Sequence, residues 1–557
     1  MAHKRRDPAI TSRIMSAVRS RDTKPERTLR KALHAAGLRF RVCVNHLPGR
    51  PDIYFPKIGL AVFVDGDFWH GNSWRARGFK SLASQFQAAR NTEFWSRKIT
   101  NNIARDRHVD AELGALGLRS LRLWESEVLT DLGACLRRIK AATAHAGERR
   151  DRLTSIEAFS GVGGLALGMA GGGFEHLAII EWDKHACATI RSNRDRMPLV
   201  SLWPVFETDI RDFDFKPYAD RITMLAAGVP CQPFSLGGKH RGDRDNRNMF
   251  PELLRAVREI RPKLVVVENV KGLLRQSFRE YFDYVLLQLR LPEVRLKPEE
   301  SWREHKARLE RESSTGRFAD LSYEVNFQLV NCANFGVPQL RERVFVVAVR
   351  SDLAVEWQPL VPTHTEAALL YAQWVDRSYW HEHQMKAPEV PARLKKLIHT
   401  MEVDALPPTT PRWRTVRDAL RGLPPPANYQ ASLQVANHIG NPGARAYPGH
   451  TGSPYDWPAK TLKAGVHGVP GGENMLRYPN GRVRYFTARE AARIQTFPDD
   501  YIISGAWGEC MRQIGNAVPV RVAQVIAERA YKLIEVAESK LANSRLEMVV
   551  SHRPTAG

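Results

Sequence analysis

The sequence predicts an α/β protein built from at least two domains, and three observations carry that expectation. A chain of 557 residues exceeds what one hydrophobic core supports. From Leu153 onward, apolar runs alternate with helical stretches (LTSIEAFS, LAIIEWD, TMLAAGVP, KLVVVENV, RVFVVAV), the pattern of a mostly parallel sheet covered on both faces. The charge is also divided: of a net +23, residues 1–150 carry +15 and the remainder only +8.

In chain order, TKPERTLRKALHAAG (23–37) reads as a helix, with Thr23 as N-cap, Pro25 in the first turn, Glu26 completing a capping box and Gly37 as the stop. Short β-type runs follow at 40–44, 52–55 and 60–65, then a helix over 91–113, a strand over 118–124 and a helix to about 142. The polar, small-residue segment AATAHAGERRDR marks a linker, which sets domain limits at 1–142, with the linker at 143–152. The alternating region is expected over 153–351. Residues 352–460, rich in Pro, Trp and His, read as a smaller subdomain. Residues 461–540 form a closing segment with an amphipathic helix over 517–540, and 541–557 a tail. The charged stretch 290–317 reads as a solvated helix pair, and His381-Glu-His383 as an exposed polar loop rather than a metal site.

Apolar residues at 43% and aromatics at 9% exclude a mostly disordered chain. No apolar stretch approaches a membrane span, and MAHKRRDPAI lacks an apolar signal region, so no membrane association or secretion is expected. The six cysteines form no CxxC pair, which suits reduced thiols in a cytoplasmic protein. The basic surplus points to nucleic acid as partner.

Phe159-Ser-Gly-Val-Gly-Gly164 follows a strand and opens a helix. Glycines there let the backbone turn tightly and approach a ligand. Glu181 ends the next strand, where a carboxylate can accept from ribose hydroxyls. Trp182 can cover an adenine ring, and Asp209 can accept from an adenine amino group. Pro230-Cys-Gln-Pro-Phe-Ser235 presents a cysteine in a Pro-flanked turn after a buried strand, whereas Cys43, Cys135, Cys187, Cys332 and Cys510 read as packed thiols. Glu268-Asn-Val270 brings a carboxyl group to the same edge, and Gln339-Leu-Arg-Glu-Arg343 brings the guanidinium groups of Arg341 and Arg343.

Over roughly 153–540 the chain resembles the DNA cytosine-5 methyltransferases. FSGVGG, EWD, TDI, PCQPFS, ENV, QLRER, TAREAARIQTFP and GNAVPV stand in that family's unpermuted order. The resemblance implies a Rossmann-like catalytic domain that binds S-adenosyl-L-methionine through Phe159, Gly161, Gly163, Gly164, Glu181, Trp182, Asp209, Ile210 and Pro230, with Asn516 closing the site. It implies catalysis by Cys231, Glu268, Arg341 and Arg343 on a cytosine flipped from double-stranded DNA. It also places target recognition at 352–460.

In the basic N-terminal segment, Gly49-Arg-Pro-Asp52 precedes a strand and the next strand reads AVFVDGDFWH. An Asp after Pro at a strand start matches the PD-(D/E)xK scheme of metal-dependent nucleases. With NTEFWxxKIxxNxxRD downstream, residues 7–142 resemble the very-short-patch-repair (Vsr) endonucleases, which nick beside T:G mismatches left by deaminated 5-methylcytosine. That resemblance implies Mg²⁺ held by Asp52 and the Val64 carbonyl, His70 activating water, Asp106 holding metal-bound waters and Glu26 nearby. Phe68, Trp69 and Trp95 would wedge into the base stack. The best-known members carry Thr and His where Val64 and Asp65 stand, which makes a more acidic metal environment an expectation here. They also hold a structural zinc, whose ligands GNSWRARGF and Ser126 do not supply, so no zinc is expected.

The two resemblances together imply a prokaryotic, nucleoid-associated bifunctional enzyme that could draw on repair proteins as further partners; the sequence does not fix its oligomeric state, and a monomer is favoured. Two other readings stay open: a restriction–modification fusion that cuts unmethylated sites, and a non-cutting N-terminal anchor.

Overall fold

The computed structural model describes residues 21–551 apart from 43, 46, 57, 78, 80–81, 87–91, 116–117, 145–152, 231–247, 315–319, 405–406, 427–434, 449–450 and 465–473. The chain divides into two compact units, Met1–Asp151 and Arg152–Gly557.

The first unit opens with α1 (Lys24–Ala35), capped by Thr23, which accepts from the Glu26 N–H. Glu26 answers by accepting from the Asp22 N–H at 3.0 Å. The buried Leu29 and Leu33 of α1 lie one turn apart on one face, as helical period requires. A three-stranded sheet follows, in the order β1 (Ile53–Phe55), β2 (Leu60–Asp65), β3 (Arg119–Trp124). β2 runs antiparallel to β1 and parallel to β3, and the parallel crossover is made by the long helix α2 (Thr92–Ala115). Among the described residues of the run at 40–44, pairing is limited to one isolated bridge, Arg41 to Tyr54, against the three-residue β1 and its flank. The last expected helix is broken at Asp131 into α3 (Glu125–Thr130) and α4 (Leu132–Ala144).

The second unit carries a seven-stranded sheet in which β4 (Leu153–Ala158) is the third strand from one edge. β5 (Phe174–Glu181) and the short β6 (Val205–Glu207) lie on one side, and β7 (Met224–Gly228) and β8 (Leu264–Val270) on the other, all parallel. The sheet is mixed, because β10 (Glu342–Arg350) is antiparallel to both β8 and the edge strand β9 (Tyr323–Asn331). β9 escapes a hydrophobicity reading because its burial is patchy along its length, as an edge permits. The sheet's centre is continuously buried at Val265, Val266 and Val267, as two-sided cover demands.

α5 (Gly164–Gly171) packs against α12 (Val520–Ser551). A Cβ at Gly168 or Gly172 would overlap Ala523 or Ala527 of that helix, so small residues set the approach of the two axes. The stretch expected to be a helix pair is one pair member only: α9 (Trp302–Ser314) packs on α8 (Gln276–Arg290), joined by Tyr284 Oη and His305 Nδ1 at 2.8 Å. Residues 352–460 are less irregular than their composition suggests, since Trp374, Tyr379, Trp380 and Trp413 form a buried aromatic cluster. His383 meets it, edge-on to Tyr379 and bonded to Asp418 at 3.0 Å, so it is no exposed loop residue. No helix among the described residues is long and apolar enough to cross a membrane.

Candidate functional site

In the second unit, the carboxyl ends of β4, β5 and β7 open onto a cavity of about 230 Å³. It is lined by Phe159, Glu181, Trp182, Asp209, Ile210 and Pro230 of the expected set, together with Ile180, Thr208, Arg211 and Met249. Phe159 has φ +56° and Gly161 φ +53°, which turns the chain sharply out of β4. Glu181 holds that turn, accepting from the Gly161 N–H at 2.7 Å and from the Asp183 N–H at 2.7 Å. The carboxylate has four lone-pair sites, so these bonds still leave it able to accept from a ligand hydroxyl. Burial raises the Glu181 carboxyl above its usual value. Asp209 is gripped by Arg211 through Nε at 3.0 Å and Nη2 at 2.6 Å, and this hydrogen bonding lowers its pKa. Trp182 is 75% exposed, a ring with a free face beside the cavity.

Gly163 and Gly164 do not line the cavity. A Cβ at Gly164 would overlap the Val518 carbonyl, so this glycine serves the packing of the turn beneath. Asn516, expected to close the site, ends α11 (Trp507–Asn516) in an exposed position and is not among the described lining residues.

Cys231 lies outside the described residues. Asn269, buried at the end of β8, donates to the Val229 carbonyl at 3.3 Å and so ties the ENV strand to the end of β7. Glu268 and Arg343 meet at 2.9 Å, with side chains 11% and 13% exposed. The register explains the meeting: Glu268 pairs with Phe345, so Arg343, two residues along, shares its face. Arg341 lies just before β10, outside its pleat, and is no free guanidinium. It donates to the carbonyls of Leu462, Gly515 and Ala517 at 2.9–3.2 Å, and burial lowers its pKa to about 9. Its role is a structural tie, a correction to the sequence reading. Gln339 and Gln495, paired at 3.1 Å, complete this buried knot; nothing in QLRER or ARIQTFP separates such glutamines from surface ones.

In the first unit, the Asp52 carboxylate accepts from the Val64 N–H at 2.8 Å, linking β1 to β2. Its pKa is pushed up to about 6 by burial, with the charges of Glu26 and Asp65 adding to the effect. A carboxyl so crowded by negative charge fits a hard divalent cation, which would relieve the repulsion. Among the described residues no three His, Cys, Asp or Glu side chains converge on a metal position, so the donors would be Asp52, main chain and water. Glu26 is occupied as the partner of Thr23 and Arg30, at 2.9 and 2.8 Å.

His70 Nδ1 stands 2.5 Å from Asp106 Oδ2. Burial opposes its charge, but the Asp106 hydrogen bond and the charges of Asp65 and Asp106 raise the imidazole above its usual pKa. Asp65 does add negative charge around Asp52, as the sequence suggested, but Arg122 Nη1 binds both Asp65 oxygens at 2.9 and 3.0 Å. Phe68, Trp69 and Trp95 come together, with Phe68 5.1 Å from Trp69 and 5.4 Å from Trp95. Lys98, part of the NTEFWxxKI motif but given no role from the sequence, lies 5.1 Å from the Trp69 ring centroid and 5.7 Å from that of Trp95.

Comparison with known proteins agrees with both units. The family model for C-5 cytosine-specific DNA methylase matches residues 153–291 and 301–532, and that for DNA mismatch endonuclease Vsr matches residues 4–76. Type II methyltransferase M.Eco47II of Escherichia coli is 30% identical over 393 residues, covering 69% of this chain and 79% of that protein. Type II methyltransferase M.NgoMIV of Neisseria gonorrhoeae is 30% identical, over 69% of this chain and 99% of that protein. M.HhaI of Haemophilus parahaemolyticus is 27% identical, over 67% and 93%.

Proposed function

Because the chain belongs to the C-5 cytosine-specific DNA methylase family, we propose that its second unit methylates C5 of a cytosine flipped from a specific double-stranded DNA sequence, and that its first unit nicks T:G mismatches arising when that product deaminates. The Glu268–Arg343 pair, at the same sheet edge as the adenosine-sized cavity, is the observation that supports the reading best. S-adenosyl-L-methionine supplies the methyl group when bound. Cys231 adds as thiolate to C6 of the cytosine, which makes C5 nucleophilic. Glu268 holds a proton at N3 and takes up the charge arriving on the ring, while Arg343 orients it. Loss of the C5 proton then breaks the sulfur–C6 bond and frees Cys231.

In the nicking reaction Asp52 and the Val64 carbonyl would hold Mg²⁺, which supplies charge to the scissile phosphate when bound. His70, turned by Asp106 so that Nε2 is free, accepts the proton of the attacking water. Phe68, Trp69 and Trp95 enter the stack, where a mismatch lowers the unstacking cost. The enzyme would work in a prokaryotic cytoplasm, on nucleoid DNA.

The test supplies purified protein and Mg²⁺ with target duplexes that are unmethylated, methylated or T:G-mismatched. Nicking confined to the mismatch is expected. A double-strand cut of the unmethylated duplex would instead establish restriction, and no cleavage would leave the first unit an anchor. In parallel, Cys231→Ala should abolish methylation while cofactor binding persists.

A further inference from the structure

Asp65 stands where the mismatch-endonuclease resemblance leads one to expect a histidine, and its partner is a residue that resemblance does not assign. Arg122 lies on β3, opposite Phe63 in the parallel register, so its side chain shares a face with Phe63 and Asp65. Its guanidinium stacks 4.5 Å from the Phe63 ring centroid. Every nitrogen is engaged: Nη1 with both oxygens of Asp65, Nε with both oxygens of Asp110 at 3.0 and 3.1 Å, and Nη2 with the Asp106 carbonyl at 3.3 Å. Nη1 is also 3.7 Å from Asp106 Oδ1.

Asp106 and Asp110 lie one turn apart on α2. Arg122 therefore clamps one turn of that helix against two strands, and that turn bears the carboxylate that holds His70. A planar fork can satisfy three partners in fixed directions; an ammonium cannot. Three carboxylates crowd this spot, and without a cation their repulsion would push Asp106 away from the imidazole.

We propose that Arg122 is a positioning residue of the nicking reaction, fixing Asp106, and through it the orientation of His70, without touching substrate. This rests on the nuclease reading above, so the experiment carries a control for it. Nicking of a T:G duplex is measured under steady-state conditions for Arg122→Lys, Arg122→Ala and His70→Ala, with methylation by the same protein as an internal measure of integrity.

Arg122→Lys should lower kcat for nicking at least tenfold, with KM for DNA within about threefold of wild type and methylation unchanged. Added methylguanidine should restore at least a third of the lost rate to Arg122→Ala, and ammonium should not. Wild-type kcat in Arg122→Lys, or a KM change without a kcat change, would overturn the proposal. So would absence of guanidine rescue in an Arg122→Ala protein that still binds DNA. Should Arg122→Ala fail to fold, the lysine variant decides alone. If His70→Ala nicks as well as wild type, the nuclease reading itself falls.

Discussion

The imidazole of His176 makes the methyltransferase unit acid-sensitive in a way that can be calculated. His176 sits on β5, wholly enclosed, with Nε2 2.9 Å from the Ala166 carbonyl of α5 and Nδ1 2.9 Å from Ser155 Oγ. A carbonyl can only accept, so Nε2 carries the proton and Nδ1 receives the serine hydroxyl. The ring is thus fixed as neutral, and burial lowers its pKa from 6.5 to about 4. The unfolded chain takes up the proton near 6.5 and the folded one only near 4. The stability held by the neutral ring is therefore fully present above pH 6.5 and is lost as pH falls toward 4. At 1.36 kcal/mol per pKa unit the loss is about 3 kcal/mol. The assay is urea unfolding of wild type and His176→Gln at several pH values over that window, following the second unit's transition. Other acid-titrating groups cancel in the difference. The gap between the two proteins should shrink by about 3 kcal/mol from pH 6.5 to 4. A gap that stays constant would refute the reasoning, because it would mean His176 titrates normally in the fold.

Three further outcomes are expected. Gly164→Ala, whose Cβ would overlap the Val518 carbonyl, should destabilise the second unit by about 1–3 kcal/mol and depress methylation while sparing nicking, read by paired activity assays and calorimetry. Trp182→Ala removes the exposed ring at the cavity mouth and should raise KM for S-adenosyl-L-methionine roughly tenfold, since stacking on a base contributes about 1–3 kcal/mol. Mg²⁺ at ten times its dissociation constant should stabilise the first unit by about 1.4 kcal/mol. Asp52→Asn should abolish that shift, and chelation should reverse it in wild type.

Much of the methyltransferase edge is legible in sequence because its chemistry sits in short contiguous motifs. EWD and ENV each contain both the strand end and the functional residue, and FSGVGG begins directly after β4, so local pattern and site coincide. What local pattern hides is direction. Arg341 and Arg343 stand two residues apart in QLRER, yet only Arg343 lies within β10, whose antiparallel register on β8 brings it to Glu268. The other turns to three carbonyls contributed from 462–517. Arg122 was invisible for a similar reason: a lone cation in RSLRLW looks like a solvent-facing strand residue until α2 brings Asp106 and Asp110 over it. His383 was misjudged because its company, Tyr379 and Asp418, is assembled by tertiary packing.

The pairing of α5 with α12 also sets a schedule. The helix that follows the glycine-rich turn is made early, but the helix whose small residues receive it is the last of the described elements. On a ribosome adding about 5–20 residues each second, that partner arrives roughly 20–80 s after the first unit is complete. Until then the apolar face of α5, with Leu165 and Met169, has no final cover. The first unit, whose sheet closes within residues 53–124, meets no such delay. A nascent chain would therefore have its nuclease sheet assembled well before its methylating unit could be, and stalled or cleaved chains would be skewed the same way.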